Sequence, residues 1–200
     1  MSPLELPPGL AHDLESNHIL AEVHNGGAED WMAFTEMRRY TNAFIRQDGK
    51  ILLGLKKRGF GKDLFNGFGG KVDPGETSAQ AASRELEEEA GITAPLRKCG
   101  TLLFIDEKLP WAFHIDVYTA EEYSGIITET DEMRPQWFST HPAEQIQDGL
   151  PSIPYKQMWA DDPYWLPLLL KNERFAARMD FAKDGSLRKW WVAKEVATSI

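Results

Sequence analysis

The chain is short of cysteine, of basic charge and of long apolar runs, and each shortage removes a class of protein. Cys99 is its one cysteine. No internal disulfide can form, and neither a Cys-x-x-Cys pair nor a Cys/His zinc spacing occurs. A reducing compartment is the expected home. Lys and Arg number 22 against 31 Asp and Glu, a formal net charge of −9. Binders of duplex nucleic acid carry a basic face, and this balance argues against one. No apolar run approaches the ~18 residues of a membrane span; the longest patch, 165–170, is interrupted by Pro167. No internal repeat and no low-complexity tract occurs.

What is present suits one globular domain. The chain has 200 residues, 42% of them hydrophobic, enough to bury a sizeable core. Residues 1–34 stand apart: Glu5, Asp13, Glu15, Glu22, Glu29 and Asp30 occur with no Lys or Arg. We read 1–34 as an acidic N-terminal extension, partly extended or loosely docked, and 35–200 as the domain. The extension fits neither a secretory signal nor a mitochondrial presequence. His12, His18 and His24 recur at an even spacing that suits neither a helix face nor usual metal ligation.

From residue 35 the pattern is regular. β-prone runs at 40–46 and 50–56 flank Gln47-Asp48-Gly49, a hairpin signal. Residues 58–75 are glycine-rich and loop-like. The spacing predicts a helix over 77–90, opened by the capping-box pattern Thr77-Ser78-Ala79-Gln80 and ended by Gly91. Strands are expected at 96–106 and 111–119, and a helix at 153–170 broken near Pro163. A second hairpin is expected from 174–181 and 187–196 about Lys183-Asp184-Gly185. The sum is a mixed α/β layered fold.

Residues 84–89 read Arg-Glu-Leu-Glu-Glu-Glu. At about 100° per residue, Ala79, Ala82, Leu86 and Ala90 form a narrow apolar stripe. Glu85, Glu88 and Glu89 share the sector beside it, and Glu87 lies away from them. Like charges one turn apart cost a helix a few tenths of a kcal/mol each, so an offsetting cation is called for. That is either Lys or Arg on a solvated face, or a metal. Gly67-Phe68-Gly69-Gly70, just upstream, lets backbone come close to a ligand. Clustered hard oxygens suit Mg²⁺ or Mn²⁺, usually with substrate phosphates in the same grip.

Gly70, Glu76, Arg84-Glu85-Leu86, Glu88-Glu89 and Gly91-Ile92 stand at the spacing of the Nudix signature and match each of its specified positions. More distant motifs are similar to the oxidised-purine nucleoside triphosphatases (8-oxo-dGTP diphosphatases) of that superfamily. They are Lys56-Lys57-Arg58-Gly59-Phe60-Gly61, the run from Phe65 to Lys71, Asp131-Glu132-Met133-Arg134-Pro135, and Met158-Trp159-x-Asp161-Asp162-x-Tyr164-Trp165. The similarity spans 40–197.

The resemblance implies the Nudix fold, an α/β/α sandwich with a mixed β-sheet. It implies Mg²⁺-dependent hydrolysis, with Mn²⁺ as a substitute, of oxidised purine nucleoside triphosphates of the 8-oxo-dGTP and 2-hydroxy-dATP type. Monophosphate and pyrophosphate leave, which would sanitise the nucleotide pool of the cytoplasm. It further implies a monomer with a nucleotide substrate and neither duplex nor membrane as partner. Glu85, Glu88 and Glu89 would hold the metal with the Gly70 carbonyl. Glu76 would orient Arg84, whose fork reaches toward Glu88. Either Glu89 or Glu132 would be the general base or an outer metal partner.

Base recognition would fall to Asn66, Asp161 and Asp162, with Trp159 stacking on the purine. Adjacent carboxylates repel, which can keep a proton on one of them. The competing reading of Asp161 or Asp162 is a helix N-cap before Pro163. Phe104 and Trp165 are either pocket wall or core. Lys56 either closes the pocket, approaches phosphate, or is a solvated strand-end lysine. Asp106 departs from the resembled pattern, which has an aromatic there, and 139–152 is longer than its counterpart. Alternative functions are hydrolysis of unmodified or methylated purine nucleotides, and a non-catalytic binding module.

Overall fold

In the computed structural model, which describes residues 5–11, 18–145 and 149–198, the chain divides into two units. The first comprises Met1–Arg39, Cys99–Asp116 and Ala160–Ile200, and the second Tyr40–Lys98 and Val117–Trp159. The strands are β1 His18–Gly26, β2 Glu36–Gln47, β3 Lys50–Lys56, β4 Phe65–Asn66, β5 Ile92–Thr93, β6 Arg97–Asp106, β7 Trp111–Ala120, β8 Ser124–Gly125, β9 Met133–Ser139, β10 Phe175–Phe181 and β11 Leu187–Ala197. The helices are α1 Ser78–Ala90 and α2 Asp162–Leu170, with short 3₁₀ turns at Ala143–Gln145 and Tyr155–Gln157. β2, β6 and β7 contribute residues to both units. No helix among the described residues is long and apolar enough to cross a membrane.

In the first unit the strand order is β1-β11-β10-β6. β10 runs parallel to β6 and antiparallel to β11, and β1 is antiparallel to β11. The sheet is therefore mixed, as the alternation of elements implies. β1 lies inside the acidic 1–34 stretch and is paired from His18↔Ala197 to Gly26↔Trp190, with an irregularity between Glu22 and His24. Leu10 and Leu20 are buried with Leu103, Ile105, Ala176 and Trp191, and Leu6, Trp31, Met32 and Phe34 pack against that cluster. His12 of the evenly spaced histidines lies outside the described residues.

In the second unit β3 is the hub. Its first residues pair with β2 and its last with β4, and β9 runs along its other side. Asp48 and Gly49 close the β2–β3 hairpin at φ 50° and 73°, the left-handed pair that matches strand twist. α1 lies over this sheet, with Leu86 and Ala90 packed among Ile45, Leu52, Phe68, Ile92 and Met133. Thr77 caps α1 in a complete capping box with Gln80, and Gly91 ends it at φ 72°.

Two expectations change. The α-helix expected over 153–170 is confined to Asp162–Leu170, after a 3₁₀ turn at Tyr155–Gln157; Pro163 sits in its first turn, where the missing N–H costs no bond, and Pro167 lies inside it. The apolar face of α1 is also rotated. Ala79 is exposed, whereas Ser78, Ala81 and Glu89 are buried with Ala82, Leu86 and Ala90. Glu89 therefore lies inside the buried sector and not beside it.

Candidate active site

The glycine-rich segment is placed by β2. Ala43 and Phe68 exchange backbone hydrogen bonds, and Thr41 N donates to Gly70 O at 2.9 Å. Gly69 and Gly70 are glycines for lack of space. A Cβ at Gly69 would run into the Thr41 carbonyl, and one at Gly70 into the Glu85 carboxylate. This close approach lets α1 press its carboxylates onto backbone.

Glu89 is 4% exposed. Its Oε2 accepts the Gly69 N–H at 2.9 Å, and its Oε1 takes Lys56 Nζ at 2.9 Å. The same ammonium lies 2.6 Å from Glu132 Oε1, and Arg58 Nη2 is 3.2 Å from Glu132 Oε2. Lys56 thus bridges a carboxylate on α1 to one just before β9. Burial raises the Glu89 pKa, against the pull of Lys56 and the Gly69 N–H. Burial also works against the Lys56 ammonium, but Glu132 and Glu89 outweigh it and its pKa rises. The hydrogen bond from Lys56 holds Glu132 below the usual carboxylate range.

Arg84 organises the other half. Its Nε and Nη2 grip both oxygens of Glu76 at 2.8 and 2.9 Å. Its Nη1 reaches Glu85 at 2.8 Å and Glu88 at 3.3 Å, and Nη2 also donates to Lys71 O at 3.2 Å. The guanidinium pKa rises, chiefly through Glu76 and then Glu85. Glu85 is raised by burial, which outweighs Arg84.

Among the described residues no three His, Cys, Asp or Glu side chains converge tightly enough to form a metal centre. The carboxylates are instead shared between two internal cations, Lys56 and Arg84. The donor set still fits a hard divalent ion. Glu85, Glu88 and Glu89 offer only oxygens, Glu85 is seated against the Gly70 cradle, and the Gly70 carbonyl keeps a second lone pair beyond its bond from Thr41.

Of the residues assigned to the base, Asn66 and Trp159 belong to the second unit. Asn66 Oδ1 accepts from Gly67 N and from Asn42 Nδ2, both at 2.8 Å. Trp159 faces Phe60 at 5.0 Å between ring centroids, and Phe60 is itself 54% exposed. Asp161, Asp162, Phe104 and Trp165 belong to the first unit and are all buried. Asp161 flanks α2 but makes no side-chain cap bond, so the capping role is not the one it plays. Its Oδ2 accepts the Trp165 indole N–H at 2.9 Å, and its Oδ1 is buried with no partner among the described residues. Burial pushes its pKa up to about 6. Trp165 stacks on Phe175, and Phe104 on Phe181 with Phe113 edge-on, as core residues do. Asp106 is also buried and accepts the Lys108 N–H.

Four contributors went unassigned from sequence: Gly69 N–H on Glu89, Arg58 on Glu132, Phe60 against Trp159, and Asn42 on Asn66. Arg58 and Phe60 stand in a motif singled out above, so their positions were legible. Asn42 carries no sequence signal.

Comparison with known proteins places this geometry. Residues 36–169 match the NUDIX domain family. The oxidized purine nucleoside triphosphate hydrolase of Danio rerio is 44% identical over 142 residues, 70% of this chain and 85% of that one. Its Mus musculus counterpart is 41% identical over 151 residues, 75% and 90% of the two chains. The crystal structure of a mutator MutT protein from Bacillus halodurans aligns with a TM-score of 0.62 at 22% identity over 78% of this chain and 97% of its own, a likeness of fold. A MutT NUDIX hydrolase from Burkholderia pseudomallei aligns at 0.50 with 30% identity over 58% and 91%. The match over residues 36–169 and the two vertebrate relatives together establish that the chain belongs to the Nudix family.

Proposed function

We propose that this protein is a Mg²⁺-dependent hydrolase of oxidised purine nucleoside triphosphates, releasing monophosphate and pyrophosphate. The observation that carries the reading is Glu89. It is a carboxylate on the buried face of α1, fixed by the Gly69 N–H, with the Arg84-held Glu85 and Glu88 on the same helix. The two vertebrate relatives supply the substrate class, since both are named for oxidised purine nucleoside triphosphates.

Nudix hydrolases generally work with a divalent metal. When bound, that cation would neutralise triphosphate charge and acidify a water. Glu85, Glu88, Glu89 and the Gly70 carbonyl are the residues that would hold it, with Mn²⁺ as a substitute. Arg84, anchored by Glu76, holds Glu85 and Glu88 in place. Glu89 and Glu132 both sit on Lys56, so either can act as base once that ammonium moves toward phosphate. Asn66 and Trp159 serve the base, one by its amide and one by its ring. Asp161 and Asp162 serve it through a carboxyl that can hold a proton: a protonated acid donates where an ionised one only accepts, which would admit oxidised guanine and oxidised adenine alike. The protein would act as a monomer in the cytoplasmic nucleotide pool.

A second reading, another purine nucleotide as preferred substrate, is favoured by Asp106, a buried acid where the resembled pattern has an aromatic. One experiment separates the two: pyrophosphate release from 8-oxo-dGTP, 2-hydroxy-dATP and dGTP, with Mg²⁺ or EDTA, for wild type and Glu89→Gln. A Mg²⁺-dependent preference for the oxidised bases, lost in the variant, supports the first reading. Activity led by dGTP moves the assignment to the second. No turnover at all would point to a binding module.

A further inference from the structure

Asn42 on β2 is 8% exposed, and its amide is committed in an unusual way. Its Nδ2 donates to Asn66 Oδ1 at 2.8 Å, and Gly67 N donates to the same oxygen at 2.8 Å. A backbone N–H can only donate, so the atom facing Gly67 must be the Asn66 oxygen. The atom of Asn42 facing that oxygen must then be its nitrogen. Amide orientation is ordinarily ambiguous, but here the network admits one arrangement. Both lone pairs of the Asn66 carbonyl are used, and only its two amide hydrogens remain to offer a ligand.

This arrangement has a cost. Asn42 Oδ1 is buried without a partner among the described residues. It lies against Gly67, where any Cβ would collide with it, and the next residues, Ala43, Phe44 and Ile45, are fully buried and apolar. A leucine, with the same branched outline and number of side-chain heavy atoms, would leave no orphaned acceptor there. The polar side chain is explained if its task is to control Asn66.

We propose that Asn42 is a specificity-determining positioning residue, which locks Asn66 with its donor side toward substrate. The edge of the purine met by Asn66 must then present acceptors, a carbonyl oxygen or an unprotonated ring nitrogen. The proposal rests on the reading above that Asn66 serves the base.

The test is a double-variant cycle on the full chain: kcat and KM for 8-oxo-dGTP with Mg²⁺ in wild type, Asn42→Leu, Asn66→Ala and the pair. Asn42→Leu should raise KM about tenfold with kcat within about twofold, and should have almost no further effect once Asn66 is alanine. A loss that persists undiminished in the Asn66→Ala background would mean Asn42 acts through folding alone, and the proposal falls. A silent Asn42→Leu beside an impaired Asn66→Ala sinks the role of Asn42 and leaves that of Asn66. A silent Asn66→Ala sinks the reading of Asn66 and this proposal with it. Asn42→Asp keeps the shape but turns an acceptor toward Asn66 Oδ1. It should raise KM further than leucine does and answers the question if the leucine variant does not fold; an unchanged KM would overturn the proposal.

Discussion

Lys56 Nζ, at the end of β3, lies 2.9 Å from Glu89 Oε1, on the face of α1 that is buried with Leu86 and Ala90. Both partners are largely out of solvent, at 16% and 5% side-chain exposure. Removing one member of such a pair leaves the other charge buried and uncompensated, which costs more than the pair contributes. Lys56→Met should therefore lower unfolding stability in EDTA by about 2–4 kcal/mol. Added Mg²⁺ should recover part of that loss, because the liberated carboxylates then have a cation. Thermal unfolding with and without Mg²⁺ checks this; a variant as stable as wild type in EDTA would show that Glu89 does not depend on Lys56.

Arg84 is a matter of shape more than charge. One planar fork serves three carboxylates: Nε and Nη2 take Glu76, and Nη1 reaches both Glu85 and Glu88. A lysine supplies the charge and cannot hold a bidentate carboxylate while reaching two others. Arg84→Lys should lower Mg²⁺-dependent activity by about 10–100-fold and raise the Mg²⁺ concentration for half-maximal rate. Its effect on melting temperature should be small, since the group is partly exposed. Magnesium titrations of initial rate decide between this and a purely electrostatic role, in which lysine would substitute freely.

How far the sequence could be read depended on how local each determinant is. Thr77, Gln80 and Gly91 mark the ends of α1 because capping is settled within a few residues. The hairpin about Asp48-Gly49 is legible for the same reason. The burial of Glu89 is not, because residue type alone puts glutamate outside a stripe drawn through Ala79. The true face is set by Gly69 and Gly70, distant in sequence, whose missing side chains admit the carboxylates. β9 is hard to read because Pro135 interrupts a run of mixed polarity that does not alternate cleanly; along an edge paired with β3 alone among the named strands it is tolerated. For Asp161 the sequence leaves base recognition and a helix cap side by side, and only the Trp165 indole one turn on shows which partner its side chain takes in place of a cap bond.

Burial moves Asp161 from an ordinary 3.8 to about 6, and the sign of the consequence is fixed. Between those values the folded state holds a proton that the unfolded state has released, so stability falls as pH rises from about 4 to about 6. Each unit is worth 1.36 kcal/mol, for a loss of at most about 3 kcal/mol. Asp161→Asn keeps the Trp165 bond and cannot ionise. It should stabilise the protein at pH 7.5 and do little at pH 4, when compared by denaturant unfolding. Equal effects at both pH values would mean the buried carboxyl is not the titrating group.

Arg178 is fully buried on β10 and makes a bidentate pair with Asp180, also fully buried, at 2.9 and 3.0 Å. The pair fastens the N-terminal segment to the sheet. Arg178 donates to the carbonyls of Pro8 and Met32 and lies 4.6 Å from the Trp31 ring centroid, and Asp180 accepts the Met32 N–H at 2.6 Å. Arg178→Leu removes every donor at once and strands Asp180 without its cation, which should cost about 3–5 kcal/mol. The loss should register locally as well, as faster amide exchange at Met32 and along β1. Arg178→Leu combined with Asp180→Leu should cost less than the single change, since no charge is then left buried. If the double variant proves the less stable of the two, the pair holds the segment through its charges after all, and apolar packing of Leu10, Trp31 and Phe34 cannot replace it.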